Sequence, residues 1–190
     1  MLLLLRLRRQ RPLLHFPYHH HHHSPRPPLP SPRYRGPEVI LNLGWSCPSD
    51  LWSVGCIISE LFHGELLFAT HSNTEHLALM SRCCGPFPAS MIKASQYGSK
   101  YFDRDGRSRW VDKLNREGQR HVLRMPTIEA LTLSRDAGGP GLTDLLVDLL
   151  QLDPRRRPTA SWLLDHNDWV RSRPKQPGPA AAVSRSEQRD

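Results

Sequence analysis

The chain has few cysteines and no long apolar run. Its cysteines are Cys47, Cys56, Cys83 and Cys84, and no two of them form a C-x-x-C pair. This pattern is typical neither of a disulfide framework nor of a zinc or redox motif, so we expect reduced thiols, mostly packed in the core. The apolar stretch at residues 2–5 is interrupted by arginines before a signal-peptide core forms. We therefore expect a soluble intracellular protein, nuclear or cytoplasmic, without membrane contact.

Acidic residues are missing from the first 35 positions, which contain seven arginines, and the whole chain has a formal net charge of +8. Arginine-rich terminal segments of this kind can bind nucleic acid or acidic partners, but more often they are solvated and disordered. Residues 1–32 also contain a histidine run and a proline-rich stretch. We predict disordered tails at residues 1–32 and 171–190. Pro27 and Pro30 form a P-x-x-P, which predicts an SH3 or WW contact.

Residues 51–62 are predicted to form a buried helix. Their apolar side chains do not keep to one stripe, which is typical of a helix with neighbours on several sides. Ser49 or Asp50 is predicted to cap its N-terminus, and Gly64 stands where a C-cap glycine is expected. The helix is too short to cross a bilayer.

Two further helices are predicted from apolar spacing. One starts after the expected N-cap Asn73 and ends at Gly85. The other follows Gly141, with leucines at helical spacing, namely Leu142, Leu145, Leu146, Leu149 and Leu150. Residues 86–126 between them are polar and are predicted to be irregular, and Thr159 is predicted to cap a last helix.

Three motifs in order resemble the lower lobe of eukaryotic protein kinases. Residues 36–38, Gly-Pro-Glu, stand for A-P-E; residues 50–55 contain the complete D-x-W-S-x-G; and residues 153–160 are similar to D-P-x-x-R-P-T-A. The resemblance implies a mainly α fold, the helical C-terminal lobe of the kinase-like fold without its N-terminal β lobe. It implies a partial protein kinase domain over residues 33–170.

Residues 75–82 narrow the resemblance to the LAMMER kinases, also called CDC-like kinases. They are similar to the signature E-H-L-A-M-M-E-R, with Leu79 and Ser81 as the two departures. The matching positions are Glu75, His76, Leu77, Ala78, Met80 and Arg82. This subfamily resemblance implies a serine/threonine or dual-specificity kinase whose partners are protein substrates, among them Arg/Ser-rich proteins.

The resemblance also implies roles for single residues. Arg35 and Gly36 correspond to the wall of the substrate-side pocket, and Arg157 is expected to form a largely buried ion pair with Glu38. Asp50, which bonds the catalytic loop in the family, is expected to be a buried carboxylate without its usual partner. The remaining structural motif positions are Pro37, Trp52 and Gly55.

Catalytic motifs of a kinase are missing from this sequence. It contains no G-x-G-x-x-G, V-A-I-K or D-F-G and no usable H-R-D. We therefore assign no catalytic residue, no metal ligand and no cofactor to the chain; ATP and magnesium belong to the intact family. The expected function is that of a truncated kinase domain, inactive alone. The alternative is a non-catalytic docking or decoy module; a nucleic-acid binder rests on charge alone and ranks last.

Overall fold

The central element of the fold is a helix of 17 residues. The computed structural model describes residues 32–133 and 141–172. These form short 3-10 helices at Pro32–Tyr34 and Pro154–Arg156 and the following α-helices in chain order: α1 Pro37–Ile40, α2 Cys47–His63, α3 Asn73–Cys84, α4 Ala89–Ala94, α5 Gly98–Tyr101, α6 Trp110–Lys113, α7 Arg116–Arg124, α8 Ile128–Leu133, α9 Leu142–Leu149, α10 Ala160–His166 and α11 Asp168–Arg171. Within this described part there is no β-sheet, and a single isolated bridge joins Phe102 to Ser108.

The central helix α2 begins four residues earlier than the apolar pattern predicts. Ser46 is its N-cap and forms a reciprocal capping box with Ser49, so the prediction of Ser49 or Asp50 as N-cap was wrong. Pro48 lies in the first turn, where its missing N–H has no intrahelical acceptor to lose. The expected C-cap is present, because Gly64 adopts φ 81° and its N–H bonds to the carbonyl of Glu60.

α2 is the predicted buried helix on one side only, because another of its faces is open to solvent. Val54, Ile57 and Leu61 are 39%, 44% and 42% exposed. We call these three residues the open face of α2. Asp50 lies four residues before Val54 on the same side, and it is exposed rather than buried as expected.

The opposite side of α2 packs on α9. The leucines of α9 predicted to form an apolar stripe are all buried. The contact is close at Gly55, where an added Cβ would lie 2.9 Å from Leu150 Cδ2 and 3.0 Å from Leu149 Cβ. Glycine at this position therefore allows α2 and α9 to approach each other.

The helix α3 is buried over most of its circumference. Its N-cap is Ser72, which accepts a hydrogen bond from the Glu75 N–H, and not Asn73 as predicted. Gly85 ends the helix as expected. Its buried side chains are His76, Leu77, Ala78, Leu79, Met80 and Cys83. They pack against α1, α6 and α7, so the signature helix lies inside the fold.

Residues 86–126 are not irregular, contrary to the prediction. They form four short helices, α4 to α7, and place apolar side chains in the core, including Phe87, Met91, Phe102 and Val122. Each of these helices has few apolar residues of its own. α6 and α7 pack on α3, and α4 and α5 pack on each other, so tertiary contacts and not a strong local period order these helices.

The predictions for the tails and for the P-x-x-P of Pro27 and Pro30 lie outside the described residues, apart from Pro32 and residues 171–172. In the described part, no helix combines the length and apolar character that crossing a membrane requires.

Candidate functional site

The predicted ion pair between Glu38 and Arg157 is present and joins two distant parts of the chain. Arg157 donates from Nη1 to Glu38 Oε1 at 2.8 Å and from Nη2 to Glu38 Oε2 at 2.7 Å. The side chains are 0% and 3% exposed, respectively. This parallel two-bond geometry is the strong form of an Arg–carboxylate contact. It ties α1 to the turn that precedes α10.

Further bonds satisfy both members of the pair. Arg157 donates from Nε to the Gln151 carbonyl at 2.8 Å and from Nη1 to the Pro48 carbonyl at 2.7 Å. Its guanidinium lies 5.1 Å from the ring centre of Trp52, within cation–π range. On the other side, Ser49 Oγ donates to Glu38 Oε1 at 2.8 Å. The pair is therefore the centre of a buried polar network.

Residues 33–36, which include the two predicted pocket residues, are held against α2. Ser53 Oγ donates to the Tyr34 carbonyl at 2.9 Å. The Tyr34 hydroxyl donates to Glu60 Oε2 at 2.5 Å, and this bond, together with burial, raises the pKa of Tyr34 to about 12. Sequence reasoning missed Tyr34 and Glu60, since 26 positions separate them and no local pattern pairs them.

Arg35 and Gly36, the two predicted pocket residues, lie at the end of this loop. Arg35 is half-buried, and its positive charge contributes to lowering the pKa of His76 on α3. Gly36 is buried directly over the Glu38 carboxylate, where an added Cβ would lie 2.7 Å from both carboxylate oxygens. The structure thus brings Arg35, Gly36 and the buried ion pair together in one region.

The polar residues of the signature helix α3 make long-range contacts. Glu75 accepts from Thr70 Oγ1 at 2.6 Å and pairs with His121 Nδ1 of α7 at 2.8 Å. His76 is buried beside the ring of Phe68, with ring centres 5.3 Å apart. Burial, reinforced by the positive charge of Arg35, lowers the pKa of His76 to about 4, so it is neutral at pH 7.

The buried pair, the loop that it anchors and the signature helix agree with one family. The sequence model described as Protein kinase domain matches residues 19–170. The chain belongs to the protein kinase family.

The relatives of this kinase-family chain are LAMMER-type enzymes, which confirms the predicted subfamily resemblance. It is 46% identical over 142 residues to the serine/threonine-protein kinase AFC2 of Arabidopsis thaliana, covering 74% of this chain and 33% of AFC2. It is 42% identical over 149 residues to the dual specificity protein kinase CLK2 of Homo sapiens, covering 76% of this chain and 28% of CLK2. The chain thus spans about a third of the length of the curated relatives it matches.

A solved kinase domain has the same fold. Its crystal structure superposes with a TM-score of 0.67 at 35% identity, covering 74% of this chain and 40% of the solved chain. The predicted fold class is confirmed: the described part of this kinase-family chain is mostly helical and similar to a kinase C-terminal lobe.

The acidic side chains in the described part of this kinase-family chain are not clustered as a magnesium site would require. No group of three or more His, Cys, Asp or Glu side chains among residues 32–133 and 141–172 is arranged to hold a metal ion. A cavity of about 310 Å³ has one carboxylate in its wall, Glu65. Magnesium in kinases is held by paired acidic and amide ligands together with phosphate oxygens. No step of phosphoryl transfer is therefore assigned to these residues.

Proposed function

We propose that this chain forms the C-terminal lobe of a LAMMER-like serine/threonine or dual-specificity protein kinase, and that it holds the protein substrate. The observation that carries this proposal is the buried Glu38–Arg157 pair. The pair fixes the position of α1 and thereby of the loop at residues 33–36. A wall that orients a substrate must itself be held in place. AFC2 and CLK2, by their names, are kinases of these two specificities.

In this proposal Arg35 and Gly36 form the wall beside the phosphorylated residue. The half-buried Arg35 borders that wall, and Gly36 leaves room for the Glu38 carboxylate beneath it. The substrates are intracellular proteins of the nucleus or cytoplasm, among them Arg/Ser-rich ones. The remaining motif residues, Pro37, Trp52 and Gly55, support the wall through packing and have no chemical step.

The ATP-binding and catalytic groups belong, in this proposal, to a polypeptide that also carries an N-terminal lobe. ATP and magnesium supply the phosphoryl group and the charge stabilisation when that lobe is present. This chain alone is proposed to be inactive, because its sequence contains none of the Gly-rich, lysine, H-R-D and D-F-G motifs that bind ATP and magnesium in the family.

The test compares this chain with a chimera. The chimera joins the part of AFC2 that precedes the position aligned with Arg33 to residues 33–172 of this chain. With ATP, magnesium and an Arg/Ser peptide, the chimera is expected to transfer phosphate, and this chain alone is expected not to exceed a heat-killed control. Transfer by the chain alone would refute its inactivity. A folded but inactive chimera would refute the claim that the chain forms a working C-terminal lobe.

A second candidate is a non-catalytic docking or decoy module. The open face of α2 favours it, because exposed apolar side chains at helical spacing are typical of a surface that binds another polypeptide. The mass of the endogenous protein, captured with an antibody against residues 141–165, separates the two candidates. A product much heavier than 21.8 kDa favours the kinase, and a product of 21.8 kDa favours the module.

A further inference from the structure

The exposed side of α7 is basic. Arg116, Arg120 and Arg124 follow each other at intervals of four residues, so they lie on one side of the helix, and all three are exposed. We call these three residues the basic face of α7. The surrounding segment, residues 100–124, contains eight Lys or Arg and four Asp or Glu. The local surface therefore attracts negative charge.

A cavity of about 310 Å³ opens at the C-terminal end of this face. Arg124 belongs both to the basic face and to the cavity wall. The apolar part of the wall is formed by Leu66, Leu67 and Met125. A volume of this size accommodates one large apolar side chain. An occupant could therefore place an apolar group in the cavity while its neighbouring residues follow α7.

Two features of the wall add detail. Ser59 is buried, and its hydroxyl has no hydrogen-bond partner among the described residues. A polar group of an occupant that reached this part of the wall would satisfy the hydroxyl. The exposed Leu123, next to Arg124, extends the apolar surface beyond the cavity.

We propose that this cavity and the basic face of α7 together bind an acidic peptide that carries one apolar anchor residue. The anchor enters the cavity beside Leu66, Leu67 and Met125, and the Asp or Glu side chains pair with the arginines of α7. Such pairing combines a buried apolar contact with charge complementarity along the rim. The proposal does not depend on phosphoryl transfer, since binding requires no nucleotide.

A peptide fits this surface better than a nucleic acid does. The apolar part of the cavity wall contributes affinity to an apolar side chain, whereas it contributes nothing to a phosphate backbone. Glu65 at the cavity and Glu117 on α7 also interrupt the positive surface. These carboxylates divide the positive charge into separate positions, which single Asp or Glu side chains match more readily than the continuous charge of a phosphate backbone does.

The experiment measures fluorescence anisotropy of a labelled short peptide with one Leu followed by Asp and Glu residues. The full chain is titrated without ATP, and circular dichroism verifies that each variant is folded. Arg120→Glu is expected to weaken binding about tenfold, because it reverses a charge at the centre of the face. Arg171→Glu, the same change at an exposed site outside the surface, is the matched control and is expected to stay within about twofold. Exchanging the peptide's Leu for Ser is expected to weaken binding about tenfold.

Three results would overturn the proposal. The first is no binding of the Leu-containing peptide by the folded chain. The second is an equal loss in the Arg120→Glu and Arg171→Glu variants, which would mean non-specific charge attraction. The third is displacement of the peptide by a single-stranded oligonucleotide at equal or lower concentration. If Arg120→Glu loses its helical signal, Arg116→Glu on the same face replaces it in the comparison.

Discussion

Replacing Arg157 with alanine removes the guanidinium that neutralises the buried Glu38 carboxylate. The carboxylate is 3% exposed, and Ser49 Oγ would remain as its side-chain hydrogen-bond donor. The carbonyls of Pro48 and Gln151 would each lose a donor. Stranding a buried charge in this way costs about 3–5 kcal/mol. This is a large part of the stability of an ordinary domain.

Replacing the other member of the pair, by Glu38→Gln, is expected to lower the free energy of unfolding by less than Arg157→Ala does. The glutamine keeps the shape of the side chain and an acceptor for Ser49. Arg157 also keeps the Pro48 and Gln151 carbonyls and the ring of Trp52, so its charge stays partly compensated. Losing the charge-assisted part of the contact costs about 2 kcal/mol. We therefore expect Arg157→Ala to be the more destabilising of the two variants.

Urea unfolding followed by far-UV circular dichroism measures both costs through the midpoint and the slope. Arg156→Ala is the matched control, because Arg156 lies in the same turn and its side chain is exposed. Its midpoint is expected to stay at the wild-type value. The double variant, Glu38→Gln with Arg157→Ala, is expected to cost less than the sum of the single variants, because the two groups interact directly.

The reasoning would be refuted by a cost below about 1 kcal/mol for Arg157→Ala with an unchanged slope. It would also be refuted by additivity in the double variant, since that result would mean that the pair contributes no interaction free energy.

Three other predictions follow from single sites. His76 is buried with its pKa lowered to about 4, whereas the unfolded chain titrates near 6.5. Between these two pKa values the unfolded state binds more protons than the folded state, so the free energy of unfolding rises with pH. Urea unfolding is expected to give a free energy of unfolding about 2 kcal/mol lower at pH 5 than at pH 7. His76→Gln is expected to remove most of this difference. Gly55→Ala is expected to destabilise by about 1–3 kcal/mol in the same assay, because the new Cβ would press on Leu150 and its neighbour, and an unchanged midpoint would contradict the close α2–α9 contact. Ile57→Lys on the open face of α2 is expected to reduce binding of an apolar dye while leaving the midpoint unchanged, and a large loss of stability would mean that this face is covered in solution.

Much of the candidate site was predictable because its residues belong to recognisable motifs. The ion pair joins Glu38 and Arg157 across 119 positions, and the family resemblance paired them in advance. The hydrogen bond from Tyr34 to Glu60 and the pair between Glu75 and His121 were not predicted. These partners lie 26 and 46 positions apart, and no periodic pattern connects them.

The errors at helix ends have a local cause. Several consecutive residues near each start are good N-caps, as in Ser46, Ser49 and Asp50, and propensity does not rank them. The choice depends on which hydroxyl can close a capping box with the residue three positions later. In α2 that residue is Ser49, so the helix begins at Cys47.

The sequence by itself determined the family, the helical character of the described part and the leucine face of α9. These depend on motifs and on the 3.6-residue period, which are local properties. Only the tertiary structure decided that residues 86–126 form ordered helices, of which α6 and α7 pack on α3, and that Asp50 and the open face of α2 meet solvent. The physical reason is that a period tells which side chains share a face, whereas burial depends on which neighbouring element lies against that face.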